Sequence, residues 1–150
     1  MLKEMSVAGM ILEDDEKSYF LLLKETDGET IVSIQIDQLQ AESINMSMDP
    51  AFASLPDTFD FLGNILESFD LSISKVIIKN CQCHIKNAEV FLTDGEREVR
   101  VNSRAGDAVA SALIVDAPIF IDNDFPGTAY KKELKRWLSK VKPGDFGQIT

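Results

Sequence analysis

Ser103, Arg104 and Asp107 place a hydroxyl, a guanidinium and a carboxylate together where an extended run gives way to a helical one. Residues of these types at a helix start do one of two things. With free backbone N–H groups beside the guanidinium they bind an anion such as phosphate. Alternatively, Ser103 caps the helix, Asp107 closes a capping box one residue late, and Arg104 bridges to another part of the fold. Asp60, with Thr58, opens a second helix. There a site role competes with first-turn capping, because acids favour the positive end of a helix dipole. Cys81-Gln82-Cys83-His84 offers thiolate and imidazole, both zinc ligands, but His84 is the only histidine and no second cysteine pair exists. A tetrahedral set would have to borrow carboxylates or a second copy of the chain. Neither a glycine-rich phosphate loop nor a nucleophile elbow occurs.

The elements that must position these residues follow from apolar spacing and turn chemistry. Met5–Leu12 and Tyr19–Leu23 read as strands around the acidic turn Glu13-Asp14-Asp15-Glu16-Lys17. Asp27-Gly28 supplies the positive φ of a hairpin turn, and Ile31–Ile36 follows, with Val32, Ile34 and Ile36 on one face. Leu39–Met48 reads as a helix stopped by Pro50. A second helix, with Asp57 or Thr58 as N-cap, carries Phe61, Leu62, Ile65, Leu66 and Phe69 as an apolar stripe at helical spacing. The meander then repeats: Ser74–Lys79, a turn near Gln82–His84, Ile85–Leu92, the Asp94-Gly95 turn and Glu98–Val101. Ser103 can cap a third helix running to about Ile114, and Pro118-Ile119-Phe120-Ile121 makes a short strand. The last helix, Lys131–Val141, turns Leu134, Trp137, Leu138 and Val141 to one face and its lysines to water or to the acidic body. The whole is one α+β domain over residues 1–150, a largely antiparallel sheet packed with about four helices.

The two meanders share more than their plan. Thr26-Asp27-Gly28-Glu29 recurs as Thr93-Asp94-Gly95-Glu96, an offset of 67. Carried forward without a gap, that offset sets Val32 on Val99, Ile34 on Val101, Ala41 on Ala108, Met46 on Leu113 and Met48 on Val115. The pattern indicates an internal duplication of about residues 5–48 as 74–115.

Val101-Asn102-Ser103-Arg104-Ala105-Gly106-Asp107-Ala108, followed by Ala117-Pro118-Ile119-Phe120-Ile121, resembles the signature of the bifunctional nuclease family. Its usual form is a strand, then S-R-P-S-D-A, a helix and an A-P-I-F-V strand. Leu66-Glu67 with Lys75-Val76-Ile77-Ile78, and Pro143-Gly144-Asp145-Phe146, are similar to it too, so the likeness covers nearly the whole chain. It implies a compact α+β fold, self-association as a dimer or trimer, and activity on DNA and RNA. Ser103, Arg104 and Asp107 match its S-R-x-x-D, while Thr58 and Asp60 match its T-H-D. The implied catalytic residues are Asp107, Arg104 and Asp60. Ser103, Arg104 and Gln40 would bind substrate, and Asp107 and Asp60 would hold Mg²⁺ or Mn²⁺.

Three departures bear on that chemistry. Gln40 stands where the family usually has glutamate, Phe59 where it has histidine, and Ala105-Gly106 where it has Pro-Ser. Under the repeat, Gln40 and Asp107 are equivalent positions facing a common hollow. Two carboxylates there would hold a divalent cation and activate water for phosphodiester cleavage. The amide removes one negative charge, and Phe59 removes the neutral-pH acid or base. The resemblance therefore implies a weak or degenerate metal-assisted nuclease; a non-catalytic module binding an anion or a partner is the alternative.

Charge sets a further limit. The net charge is −10, and residues 131–150 hold six basic against two acidic residues, so the other 130 residues carry −14. That field repels nucleic acid unless a cation or the basic tail intervenes. Edge strands in the two meanders offer pairing surface for self-association. The start Met1-Leu2-Lys3-Glu4-Met5 lacks the pattern of a secretory signal, and no apolar stretch is long enough to span a bilayer. With two isolated cysteines, the expectation is a cytoplasmic protein with reduced thiols and no membrane partner.

Overall fold

The computed structural model describes residues 2–12, 19–48, 57–79 and 87–122. Seven strands and three helices lie within them: β1 (Leu2–Leu12), β2 (Tyr19–Glu25), β3 (Ile31–Ile36), α1 (Gln38–Met48), α2 (Thr58–Ser68), β4 (Ser72–Lys79), β5 (Asn87–Thr93), β6 (Glu98–Arg104), α3 (Ala105–Val115) and β7 (Ile119–Asp122). The strands make one sheet in the order β3-β2-β1-β7-β4-β5-β6. Every pairing is antiparallel except β4 with β7. The α+β class expected from the sequence is the class observed. The helix expected over Lys131–Val141, the acidic turn at Glu13–Lys17, Pro50 and the Cys81–His84 segment lie outside the described residues. No helix among the described residues is long and apolar enough to cross a membrane.

Each meander is a three-stranded sheet whose last strand feeds a helix, and β7 joins the two by pairing with β1 and β4. In β3 the alternation Val32, Ile34, Ile36 points into the core, as period-2 patterning requires. In β2 the run Leu21-Leu22-Leu23 is fully buried without alternation. Leu21 and Leu23 belong to the main core, while Leu22 joins Ile31 in a small cluster, with Ala8 and Ile11 packed against it.

Helix α3 is the centre of the packing. Ala105, Ala108, Ala110 and Ala112, with Val109, are almost entirely buried. Small side chains let neighbouring elements approach closely, and α3 touches α1, α2 and strands β3 to β6.

Two local expectations change. Gly95 has a φ of 99°, but Gly28 does not take a positive φ. The first hairpin closes across Glu25 and Thr30, the second across Asp94 and Arg97, so the same four residues sit in loops of different length. A Cβ at Gly28 would meet the end of the Glu25 side chain, which would have to swing aside. Strand β6 runs on to Arg104, so Ser103 does not cap α3. Its hydroxyl donates to the Arg104 carbonyl at 2.9 Å, and Arg104 occupies the N-cap without a side-chain cap bond. The α2 stripe is not core: Phe61, Leu62, Ile65 and Phe69 are exposed, and within that helix only Phe59 is buried. Spacing shows that a helix has an apolar face; it does not show what covers it.

Candidate functional site

The polar corner begins with two helix starts. At α1, the Asp37 carboxylate accepts from the Gln40 backbone N–H at 2.8 Å, and the Gln40 side-chain oxygen accepts from the Asp37 N–H at 3.0 Å. This is a reciprocal capping box in which D-x-x-Q satisfies two otherwise free donors. At α3, the Arg104 Nε donates to Asp107 Oδ2 at 2.8 Å. The two starts then meet. Gln40 Nε2 donates to Asp107 Oδ1 at 2.7 Å, and Arg104 Nη1 reaches Asp37 Oδ2 at 3.4 Å.

Both cross-links join residues separated by 67, the offset of the repeat. Each therefore ties a position to its own counterpart in the other meander: Asp37 to Arg104, and Gln40 to Asp107. Residues brought face to face with their counterparts cannot both carry the same charge without cost. Here one pair is anion against cation and the other is acceptor against amide donor. Gln40 is buried, and Gly106 makes room for it, since a Cβ at position 106 would meet the Gln40 amide carbon at 2.6 Å. Asp107, followed by Asp37, raises the Arg104 guanidinium further above its ordinary range, so it stays charged.

The remaining site candidates separate. Asp60 does not face Asp107. Its carboxylate accepts from the Asp57 N–H at 2.9 Å, while Asp57 Oδ1 accepts from the Phe59 and Asp60 N–H groups. That is the capping box of α2. Asp57 Oδ2 also takes the buried Ser43 hydroxyl at 2.7 Å, fastening α2 to α1. Burial pushes the Asp57 carboxyl up, but the hydrogen bonds from Asp60, Ser43 and Phe59 together bring it below its ordinary 3.8. Asp57→Ala is expected to cost roughly 2 kcal/mol, from a lost cap and a stranded Ser43 hydroxyl. A carboxyl lowered on folding stabilises above its unfolded value and loses that effect as pH falls. Chemical denaturation should therefore show the full difference near neutrality, shrinking as the pH drops below 3.8.

Thr58 and Phe59 line an open, mostly apolar groove of about 560 Å³ between α2 and β6, with Leu39, Phe61, Val101 and Arg104 also on its wall. Asp107 and Ser103 reach the same groove. Three parts of the expected site, the S-R-x-x-D run, the Thr58-Phe59 pair and Gln40 behind Asp107, are thus adjacent, and Asp60 is directed elsewhere. Asp37 is the residue that sequence reasoning missed. Its signal was D-x-x-Q ahead of an apolar helix, and the 67-residue offset maps it onto Arg104.

The donor set at this corner does not fit a divalent cation. Mg²⁺ and Mn²⁺ take several carboxylate or carbonyl oxygens with free lone pairs. Here both Asp107 oxygens are engaged by donors, the Gln40 oxygen is engaged by the Asp37 N–H, and a guanidinium occupies the space between the carboxylates. Among the described residues no group of three or more His, Cys, Asp or Glu side chains could hold a metal.

Comparison with known proteins places this geometry in context. The family model described as the bifunctional nuclease domain matches residues 21–130, which include both helix starts and the groove. Two relatives, the uncharacterized proteins Rv1829 and MT1877 from two strains of Mycobacterium tuberculosis, are each 26% identical over 162 aligned positions, covering 95% of this chain and 97% of theirs.

Proposed function

Because the chain belongs to the bifunctional nuclease domain family, we propose that it is a non-hydrolytic member, a binding and assembly module whose polar corner holds its two halves together. The observation that carries this reading is the state of Asp107, which accepts from Gln40 through one oxygen and from Arg104 through the other. Arg104 Nη2 also reaches Oδ1 at 3.3 Å, so three of the carboxylate's roughly four lone-pair sites are taken, and a cation would have to displace donors to gain more than one oxygen contact. Binding of a partner is favoured over binding of an anion. The corner holds two carboxylates against one guanidinium, and the chain carries −10 overall, so phosphate is repelled.

The family match itself favours the second reading, metal-assisted hydrolysis of DNA or RNA through Asp107 with Arg104 on phosphate. One experiment separates the two. Labelled single-stranded DNA and RNA are incubated with the purified chain in Mn²⁺, in Mg²⁺ and in chelator, beside an Asp107→Ala preparation. The expected result is no cleavage above that of the variant in any condition. Metal-dependent cleavage that vanishes in Asp107→Ala would establish the hydrolase instead.

A further inference from the structure

The two meanders differ in what covers their third strands. Val32 and Ile34 in β3 are buried, whereas their counterparts at an offset of 67, Val99 and Val101 in β6, are 56% and 46% exposed. Val99 stands opposite Leu92 and Val101 opposite Val90, and Val101, Val90 and Leu92 all line the groove beside α2. Leu39, Phe61, Leu62 and Ile65 are exposed on its other walls. Leaving such a strip in water forgoes roughly 25 cal/mol for each Å² that a cover would bury. Apolar surface gathered in this way marks an interaction surface.

Charge narrows what can lie there. Helices α1, α2 and α3 carry four acidic residues, Glu42, Asp60, Glu67 and Asp107, and no basic one. On β6, Arg104 is held by Asp107 and Asp37. Arg100 projects from the face opposite Val99 and Val101, 3.8 Å from Glu89. A cover for the groove therefore needs an apolar face with cationic flanks. The chain supplies such a segment beyond Asp122. Residues 131–142, outside the described residues, hold six basic residues against Glu133 alone, with Leu134, Trp137, Leu138 and Val141 at helical spacing.

We infer that residues 131–141 lie as a helix in the groove of their own chain, with Trp137 against the apolar walls of α2 and β6 and the cationic flanks toward the acidic helices. The path is short enough. Strand β7 ends at Asp122, whose carboxylate is 3.7 Å from the Lys79 ammonium. Lys79 pairs with Asn87 and Asn87 with Arg104, so Asp122 and Arg104 stand at the same end of the sheet. Three strand spacings, about 14 Å, separate them. The eight residues 123–130 can span about 26 Å when extended, enough to pass β4 and β5 and rise to the helix layer. Length fits as well. The eleven residues 131–141 cover about 16 Å as a helix, and the seven residues of β6 about 20 Å. A partner that uses this groove must then displace the basic segment. The inference goes beyond the assembly reading above and does not depend on it.

Trp137 is the single tryptophan, so its fluorescence on the full chain reads the contact directly. In the wild type its emission should lie to the blue of that of the urea-unfolded chain, and acrylamide should quench it several-fold less. Phe61→Lys and Val101→Lys each put an ammonium group in the groove against the basic segment, and each should move both readings to the unfolded-chain values. Both positions are already exposed, so circular dichroism should show the variants folded. Val115→Lys, at an exposed position beside Gly63 rather than in the groove, should leave Trp137 as in the wild type. A wild-type Trp137 open to quencher overturns the proposal. So does a shielded Trp137 that the groove variants leave shielded, which would put the segment elsewhere on the body, or one that Val115→Lys frees as well. Shielding that is lost on dilution would place the segment on a second copy and also overturns it. None of these readings involves cleavage, so this idea and the nuclease assay can fail separately.

Discussion

Gln40→Glu is expected to destabilise the fold by about 3 kcal/mol near pH 8 and to recover most of that near pH 4. The change keeps the shape of the side chain and the bond its oxygen accepts from the Asp37 N–H. It replaces the Nε2 donor, 2.7 Å from Asp107 Oδ1, by a second acceptor in a buried position. Two carboxylates in contact cannot both ionise cheaply, so the pair retains a proton and titrates as a unit. The new carboxyl would be raised on folding above its unfolded value of about 4.3. Stability from such a group is full below the unfolded value and disappears as pH climbs through the folded one. The variant should therefore approach the wild type in acid and fall behind it in base, opposite to the trend at Asp57. Urea midpoints across pH would show this; a difference that stayed constant with pH would mean that the amide does not face Asp107. The same variant asks whether the corner can hold metal. If Mn²⁺ raises its melting temperature and leaves the wild type unmoved, the amide is what excludes the cation. The single change is cleaner than pairing it with Phe59→His, because Phe59 belongs to the buried core.

Ala108→Leu is expected to cost about 3 kcal/mol, near the upper end for overpacking, lowering the melting temperature by roughly 8 °C in a chain of this length. Ala108 has no exposed surface, and α3 is packed by helices and sheet together. Three added carbon atoms have nowhere to go unless α3 moves. Because Asp107 precedes it, moving α3 also loosens the bonds to Gln40 and Arg104. Val115→Ala, at the exposed end of the same helix, is the matched control and should change stability little. Calorimetry on the two proteins measures the contrast.

The parts of the fold that could be read in advance were those in which neighbouring residues decide the outcome. β3 was legible to the residue because its alternation has a single solution once one face is buried. The N-cap of α2 was narrowed to Asp57 or Thr58 by residue type, and the coordinates give it to Asp57. The start of α3 was placed early because Ser103 is a good capping residue by type, yet β6 pairs through to Arg104 opposite Asn87 and leaves it no turn to cap. Periodicity marked an apolar face on α2 and carried no information about what covers it. At the corner, the meeting of positions 40 and 107 followed from the repeat. The role of Asp37 did not, because capping and cross-linking use the same carboxylate, one oxygen for each, and only coordinates show both. Asp60 was grouped with Asp107 through the family motif, while its own helix start holds it.

The position of β7 has a consequence for how the chain acquires this structure. Its four residues are the only described strand joining β1 to β4, and the residues pairing Leu2–Met5 arrive only at 119–122. A nascent polypeptide can zip each meander as it emerges, but it cannot merge them into one sheet until nearly the last of the described residues has been synthesised. Such distant closure is slow, and the exposed flanks of β1 and β4 must wait for it, sticky and unmatched, until the keystone is laid.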